Sequence, residues 1–288
     1  NYPTDGDGIQ QYEKRQIAGY HGTLNFDHQQ ASHTFHSSFG YGFRYDDVDG
    51  SQLNRQQKRN FIEHVQLGDI KELNAFAYWD NNLGFGNGWS LNAALRYDWF
   101  RFGYKDRLTN QPDFSYQNRG VVSPKLTLSK DVTKNLKLVA SGGIGFHSND
   151  TRVILDRQAD DILPRVFGAD IGFNFKPLPK LLLKGALWTL YSEQEFVYVG
   201  DAGIVEPGGE TRRIGAELSA RYQLTHWLFA DVDLNYTKAR AVGAAKGEDY
   251  VPLAPIFTSI GGLSAKTKTG FGGSLRYRTI GNRPANED

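Results

Sequence analysis

Residues Thr211–Arg240 constrain this chain more than any other stretch. From Ile214 every second residue is apolar or aromatic: Ile214, Ala216, Leu218, Ala220, Tyr222 and Leu224. Between them lie Arg213, Gly215, Glu217, Ser219 and Arg221. After a short turn at Thr225–His226, Leu228, Ala230, Val232, Leu234 and Tyr236 share one face, and Asp231, Asp233, Asn235 and Thr237 the other. Two adjacent runs of period two make a β-hairpin, not a helix. Each run of about ten residues or more is long for a globular strand. The charged face cannot lie against a dry core unpaired. One greasy face and one wet face suit a barrel wall with lipid outside and a polar lumen inside.

Composition agrees. The 288 residues carry a formal net charge of +1, too balanced to suggest nucleic-acid binding. No apolar run approaches the ~18 residues of a membrane helix. Mean hydropathy is −0.52, but alternation cancels the average in a β-barrel. With no cysteine, disulfides and thiolate metal sites are excluded. Aromatics at 13% and 32 glycines fit many strands and turns. The absence of methionine, even at position 1, and the loop-like opening NYPTDGDG suggest a piece of a longer protein or a processed chain.

Residues 1–11 read as loop. Ala18, Tyr20, Leu24 and Phe26 share a strand face, and a turn at Asp27–His33 leads to Phe35, Ser37, Phe39, Tyr41, Phe43 and Tyr45. The charged stretch Asp46–Arg59, extended to about residue 70, reads as a long loop. A less regular strand covers Leu73–Trp79, followed by a turn at Asn81–Gly88 and a strand carrying Trp89, Leu91, Ala93, Leu95, Tyr97 and Trp99 on one face. Lys105–Gly120 reads as loop, Pro124–Leu128 as strand, Asp131–Asn135 as turn and Leu136–Phe146 as strand. A loop over Ser148–Pro164 precedes a strand at Phe167–Phe175, the turn Pro177–Lys180 and an untidy extended stretch, Leu181–Val199. Gly200–Glu210 reads as a Gly-rich loop and Ala241–Tyr250 as another. Strands near Pro252–Ala265 and Phe271–Thr279 flank the turn Lys266–Gly270. About twelve strands result, with connections alternately short and long, the rule for outer-membrane barrels with short periplasmic turns and long extracellular loops. On that rule residues 1 and 288 lie on the extracellular side. The expected fold class is all-β, an antiparallel up-and-down transmembrane β-barrel.

Several segments resemble the barrel of TonB-dependent outer-membrane receptors. They are GIGFHSND (Gly143–Asp150), EFVYVGDAGIVEPGGETRRIGAEL (Glu195–Leu218), WLFADVDLNYTKAR (Trp227–Arg240), PLAPIFTSIGGL (Pro252–Leu263) and LRYR…RPANED (Leu275–Asp288), with LRYDWF at Leu95 and SPKLTL at Ser123 fitting too. The resemblance covers nearly the whole chain. It implies that residues 1–288 are part of a barrel of about 22 strands, its middle and later wall, without the plug, the TonB box or the closing strands. It implies a multi-pass bacterial outer-membrane protein that takes up a scarce ligand such as an iron–siderophore complex. Its partners would be membrane lipid and the TonB–ExbB–ExbD system, reached through the plug; no cofactor is expected.

The inward-facing polar set includes Arg44, Arg96, Asp98, Asp170, Asn174, Arg213, Glu217, Arg221, Asp231, Asp233, Arg276 and Arg278. These suit a solvated lumen wall or plug contacts. Arg44, His147, Arg165, Arg212 and Arg213 are expected near the extracellular ends and are the candidates for ligand contact. His28, His33 and His36 cluster about one turn, but no carboxylate is spaced to complete a metal site. His147, Ser148 and Asp150 have the residue types of a hydrolytic triad, yet neighbours on one strand end point to alternate faces and cannot form the relay. Asp231 and Asp233 lie ~7 Å apart on one face, which a lumen wall explains more simply than paired catalytic carboxylates. Trp79, Trp89, Trp99 and Trp227 read as interfacial girdle residues.

Three functions compete: an energised receptor, a passive porin-like channel and an outer-membrane hydrolase. The hydrolase needs a nucleophile–base pair on neighbouring strands, which the sequence does not offer, so no enzyme activity is expected. The ligand is not readable, because it is set by loops and plug.

Overall fold

The computed structural model describes residues 7–30, 33–109, 113–147, 162–199, 204–207 and 209–284. The strands are β1 (Asp7–Gln30), β2 (His33–Gln57), β3 (Asn60–Gly86), β4 (Trp89–Asp106), β5 (Ser115–Thr133), β6 (Leu136–Phe146), β7 (Arg165–Leu178) and β8 (Leu181–Ser192). After them come β9 (Phe196–Val199), β10 (Ile204–Pro207), β11 (Thr211–Gln223), β12 (Leu228–Ala241), β13 (Phe257–Lys266) and β14 (Gly272–Ile280). Twelve strands form one antiparallel up-and-down sheet in chain order, in which β8 neighbours β11. The short hairpin β9–β10 stands apart from it. Each of β1 and β14 pairs on one side only, so the sheet is open at both edges.

The alternation of the sequence becomes two faces. Tyr41, Leu95, Tyr97, Leu126, Ile171, Leu187, Ile214 and Leu218 all project outward and are exposed. A charged residue on a lipid face costs ~2–4 kcal/mol near the bilayer midplane, and between Trp89 and Trp99 the outward positions are Leu91, Ala93, Leu95 and Tyr97. Those two tryptophans are about ten residues apart on β4. At a rise of ~3.3 Å and a tilt of ~40° that spacing projects to about 25 Å, the height of the apolar band of an outer-membrane barrel. Trp79 is not at a strand end: it lies opposite Phe39 and Leu95 inside this band, its Nε1 donating to Ser37 Oγ at 2.7 Å.

The largest departure from expectation is the stretch expected as a loop over residues 46–70. It is strand. β2 runs on to Gln57, turns at Lys58–Arg59, and returns as β3 from Asn60. Both turn residues have positive φ, 52° and 69°, the type I′ geometry that matches the twist of a hairpin. Neither residue carries the Asn-Gly signal that marks such a turn. By contrast Asn87 and Gly88, φ 48° and 76°, make the same turn with the expected residues between β3 and β4. The other boundaries shift in the same sense. β1 already begins at Asp7 within the expected loop 1–11, and β5 begins at Ser115 within the expected loop 105–120. The turn placed at 81–88 narrows to Asn87–Gly88, Gly200–Glu210 contains β10, and the strand placed from Pro252 starts at Phe257.

β1–β4 therefore rise well above the apolar band as a twisted sheet, anchored by ion pairs. Arg107, just past β4, bonds Asp49 of β2 at 2.6 Å and Asp69 of β3 at 2.6 and 2.9 Å. The Gly50 amide, in a bulge with φ 62°, donates to Asp69 at 3.0 Å. Burial pushes the Asp69 carboxyl up, but the Gly50 amide and the Arg107 guanidinium outweigh it and hold the carboxyl below its ordinary value. A small apolar core lies at the mouth: Phe100 and Phe102 stack 5.4 Å apart with Val121, Ile162 and Leu163 against them. The β5–β6 ladder stops at Lys125 and Gly143, and Ile162–Pro164 is fixed beside that break by the His147 amide donating to Pro164 at 3.1 Å. Residues 162–164 belong to the expected loop; 148–161 of that loop lie outside the described residues, as do the chain ends at 1–6 and 285–288.

Candidate functional site: the inward face and the rim

The inward face of β1–β4 is a network of ion pairs. Two Arg-Tyr-Asp triplets, Arg44-Tyr45-Asp46 on β2 and Arg96-Tyr97-Asp98 on β4, are built alike. Period two sends the tyrosine outward and both charged residues inward. Arg44 bonds Asp46 at 2.6 and 2.9 Å, and Arg15 of β1 reaches the same carboxylate at 3.5 Å. Arg96 bonds Asp98 at 2.6 and 2.7 Å, and Asn74 adds a third bond at 3.2 Å. Asp98 is 1% exposed. A carboxylate so buried must be paired to remain charged. Asp46 is a participant that sequence reasoning assigned to a loop; the repeat of Arg-Tyr-Asp was the signal that could have found it.

Aromatic rings cover glycines between these pairs. A Cβ on Gly40 would meet the Tyr78 ring at 2.2 Å, and one on Gly42 would meet Phe76 at 2.7 Å and the Tyr20 carbonyl at 2.3 Å. His21 lies 5.8 Å from Phe76 and 6.0 Å from Tyr78, and the Arg96 guanidinium sits 4.1 Å over Phe76. Phe76 and Tyr78 thus face inward, which is why β3 alternates untidily in sequence.

On β11–β14 the inward face is more open. Asp233 accepts from Arg221 at 2.8 and 3.0 Å and from Ser219 at 2.6 Å. Asp231, two residues away, pairs instead with Arg276 at 2.5 Å. The register places Gly262 between them, and a Cβ there would meet the Arg276 chain at 3.0 Å. The two aspartates are therefore separate anchors and do not act as a carboxylate pair. Asp170, Glu217 and Arg278 also face inward and, among the described residues, have no side-chain hydrogen bond or ion pair.

At the rim, Arg213 pairs with Glu195 at 2.5 Å, and Thr211 donates to the same carboxylate at 2.7 Å. The Arg165 amide donates to Glu193 at 2.8 Å. His147 directly follows β6, and Arg165 opens β7 in the exposed, outward phase of Phe167 and Ile171. Arg212 also lies outward. It is exposed, opposite Tyr191 and Arg240, on the outward face that carries Ile214 and Leu218. Arg44 is not at a strand end either. It lies mid-strand on β2, and its expected position followed from reading 46–70 as loop. His36 bonds Asp27 at 2.5 Å across β1 and β2, and no group of three metal-ligating side chains occurs among the described residues. Ser148 and Asp150 lie outside the described residues.

The sheet resembles solved outer-membrane structures. The ferric citrate transporter FecA in its unliganded form superposes with a TM-score of 0.77 at 14% identity, over 96% of this chain and 43% of that one. The ferric-catecholate import receptor Fiu from E. coli K12, in its closed form, gives 0.73 at 13% identity over 94% and 45%. The copper transporter OprC gives 0.68 at 15% identity over 97% and 46%. The chain thus spans less than half the length of these structures. No curated protein sequence matches it significantly. The profile of one family, TonB dependent receptor-like, beta-barrel, matches residues 1–288 from end to end. The chain belongs to the TonB-dependent receptor β-barrel family of the bacterial outer membrane.

Proposed function

We propose that this chain is wall and rim of an energised outer-membrane receptor that imports a scarce metal chelate. The family profile over all 288 residues carries this reading. Similar structures are described as transporting ferric citrate, importing ferric catecholates and transporting copper; a metal is common to all three. The strands supply a lipid-facing band outside and a hydrated, charge-paired wall inside. A plug domain of the kind the family resemblance implies would lie against that wall. Asp170, Glu217 and Arg278, with no side-chain partner among the described residues, are the groups that would bind it. Ligand would enter over the rim, past His147 and Arg213, with Arg44 lower on the wall. Arg165 and Arg212, both in the outward phase of their strands, are left out of that set. The wall acts by binding and gating, with no catalytic residue, and TonB would act through the plug.

The test is uptake of radiolabelled ferric citrate, a ferric catecholate and a copper chelate by cells carrying the complete receptor, with and without TonB. Accumulation of one cargo that stops without TonB supports the reading. Uptake independent of TonB, with sugar-permeable liposomes, indicates a passive channel and overturns it.

A further inference from the structure

The outward face of the wall is not uniformly ridged. Across β5–β8 and β11 the register lines up Leu128, Ala140, Ile171, Leu187 and Ala216 in one row. In the next row toward the rim, Gly142 and Ala169 lie side by side. These small residues sink the surface between exposed leucines and isoleucines. Two contiguous apolar depressions result, of about 630 and 610 Å³. The first reaches Trp89 and Lys130 at the short-turn end of the strands. Lys130 is outward-facing there. Its ammonium donates to the Asn87 carbonyl and sits 4.9 Å over the Trp89 ring. Among the described residues it has no carboxylate partner, so its charge and its remaining donors are available.

We infer that this furrow is a site for one glycerophospholipid of the periplasmic leaflet, an acyl chain lying over Ala140 and Ala216 and the headgroup phosphate on Lys130. Three physical points converge on that occupant. The furrow opens into hydrocarbon, so an alkyl chain is what fills it. Small residues flanked by Leu128, Ile171 and Leu187 give a chain more contact than a flat wall does. A fixed, uncompensated cation on a tryptophan at the interface complements a phosphate. The short turns place that end of the wall on the periplasmic side. The inference rests on the outer-membrane setting of the family and is independent of what the receptor imports.

The test is native mass spectrometry of the complete receptor, extracted in mild detergent, delipidated, then titrated with phosphatidylglycerol, phosphatidylethanolamine and lipid A. The wild type is expected to retain one phospholipid above the background of detergent exchange. The double variant Ala140→Leu/Ala216→Leu, which fills the furrow, should lower that occupancy at least tenfold. Lys130→Gln should lower phosphatidylglycerol occupancy several-fold more than phosphatidylethanolamine occupancy. Retention of the heat-modifiable folded band on electrophoresis checks that the variants fold, and a single substitution, Ala140→Leu, serves if the double variant does not. Equal phospholipid binding by wild type and furrow-filling variant, or preference for lipid A, overturns the proposal.

Discussion

β1–β4 and β11–β14 answer the same problem, charge on the inner wall, in opposite ways. In β1–β4 the carboxylates are sunk and shared: Asp98 is 1% exposed and takes three bonds, and the side chain of Asp46 is 10% exposed between two arginines. In β11–β14 the Arg221–Asp233 pair stands in water, each nearly half exposed, although Asp231 beside it is 15% exposed against Arg276. The first wall is preorganised and closed upon itself. The second leaves charge available to whatever lies in the lumen. Long strands, aromatic covers over glycine and the tall projection above the membrane all belong to the first.

The sharpest way to break that contrast is to remove one arginine from each wall. Arg96→Ala strands a buried carboxylate and should cost about 3 kcal/mol, whereas Arg221→Ala releases Asp233 to solvent and should cost less than ~1 kcal/mol. Urea titration of the receptor refolded into vesicles measures both; equal losses would erase the distinction. Glycine substitutions come next. Gly40→Ala drives a methyl into Tyr78 and should cost about 2 kcal/mol, while Gly145→Ala, whose added carbon meets nothing within 4 Å, should change stability by under ~0.5 kcal/mol.

A smaller effect is expected of acid on the projecting hairpin. The Asp69 carboxyl is held below its ordinary value in the folded state. Its contribution is therefore present above the unfolded value of ~4 and is lost as pH falls through the lower folded value. Amide exchange over residues 47–70 should accelerate below about pH 4, and Asp69→Asn should abolish that dependence. Smallest of all, Lys58→Asn with Arg59→Gly supplies the residues a type I′ turn favours and should stabilise the hairpin by ~0.5 kcal/mol. Loss of stability would mean that the turn is not the one described.

The same contrast decided what the sequence could tell. β11 and β12 were legible because lipid on one side and water on the other force strict alternation. Above the membrane water touches both faces, so Asp46, Asp47 and Asp49 read as loop although they lie on β2, and the Lys58–Arg59 turn carries no glycine to announce it. β3 was blurred because Phe76 and Tyr78 spend aromatic surface inward on Gly42 and Gly40. At the rim, adjacent arginines on a strand must take opposite faces, so the separation of Arg212 from Arg213 was implicit in their spacing. The pairing of Arg213 with Glu195 was not, because it depends on where the chain returns from β8 to β11.

The two-faced wall itself is tested most directly on β11. The chain has no cysteine, so single cysteines can be placed at each position from 212 to 222, spin-labelled, and probed in bilayers for collisions with oxygen and with a nickel chelate. Oxygen accessibility should peak at 214, 216, 218 and 220, and nickel accessibility at 213, 215, 217 and 219, in strict alternation. Accessibility without a period of two, or with the phase reversed, would contradict the lipid-facing and lumen-facing assignment on which the rest depends.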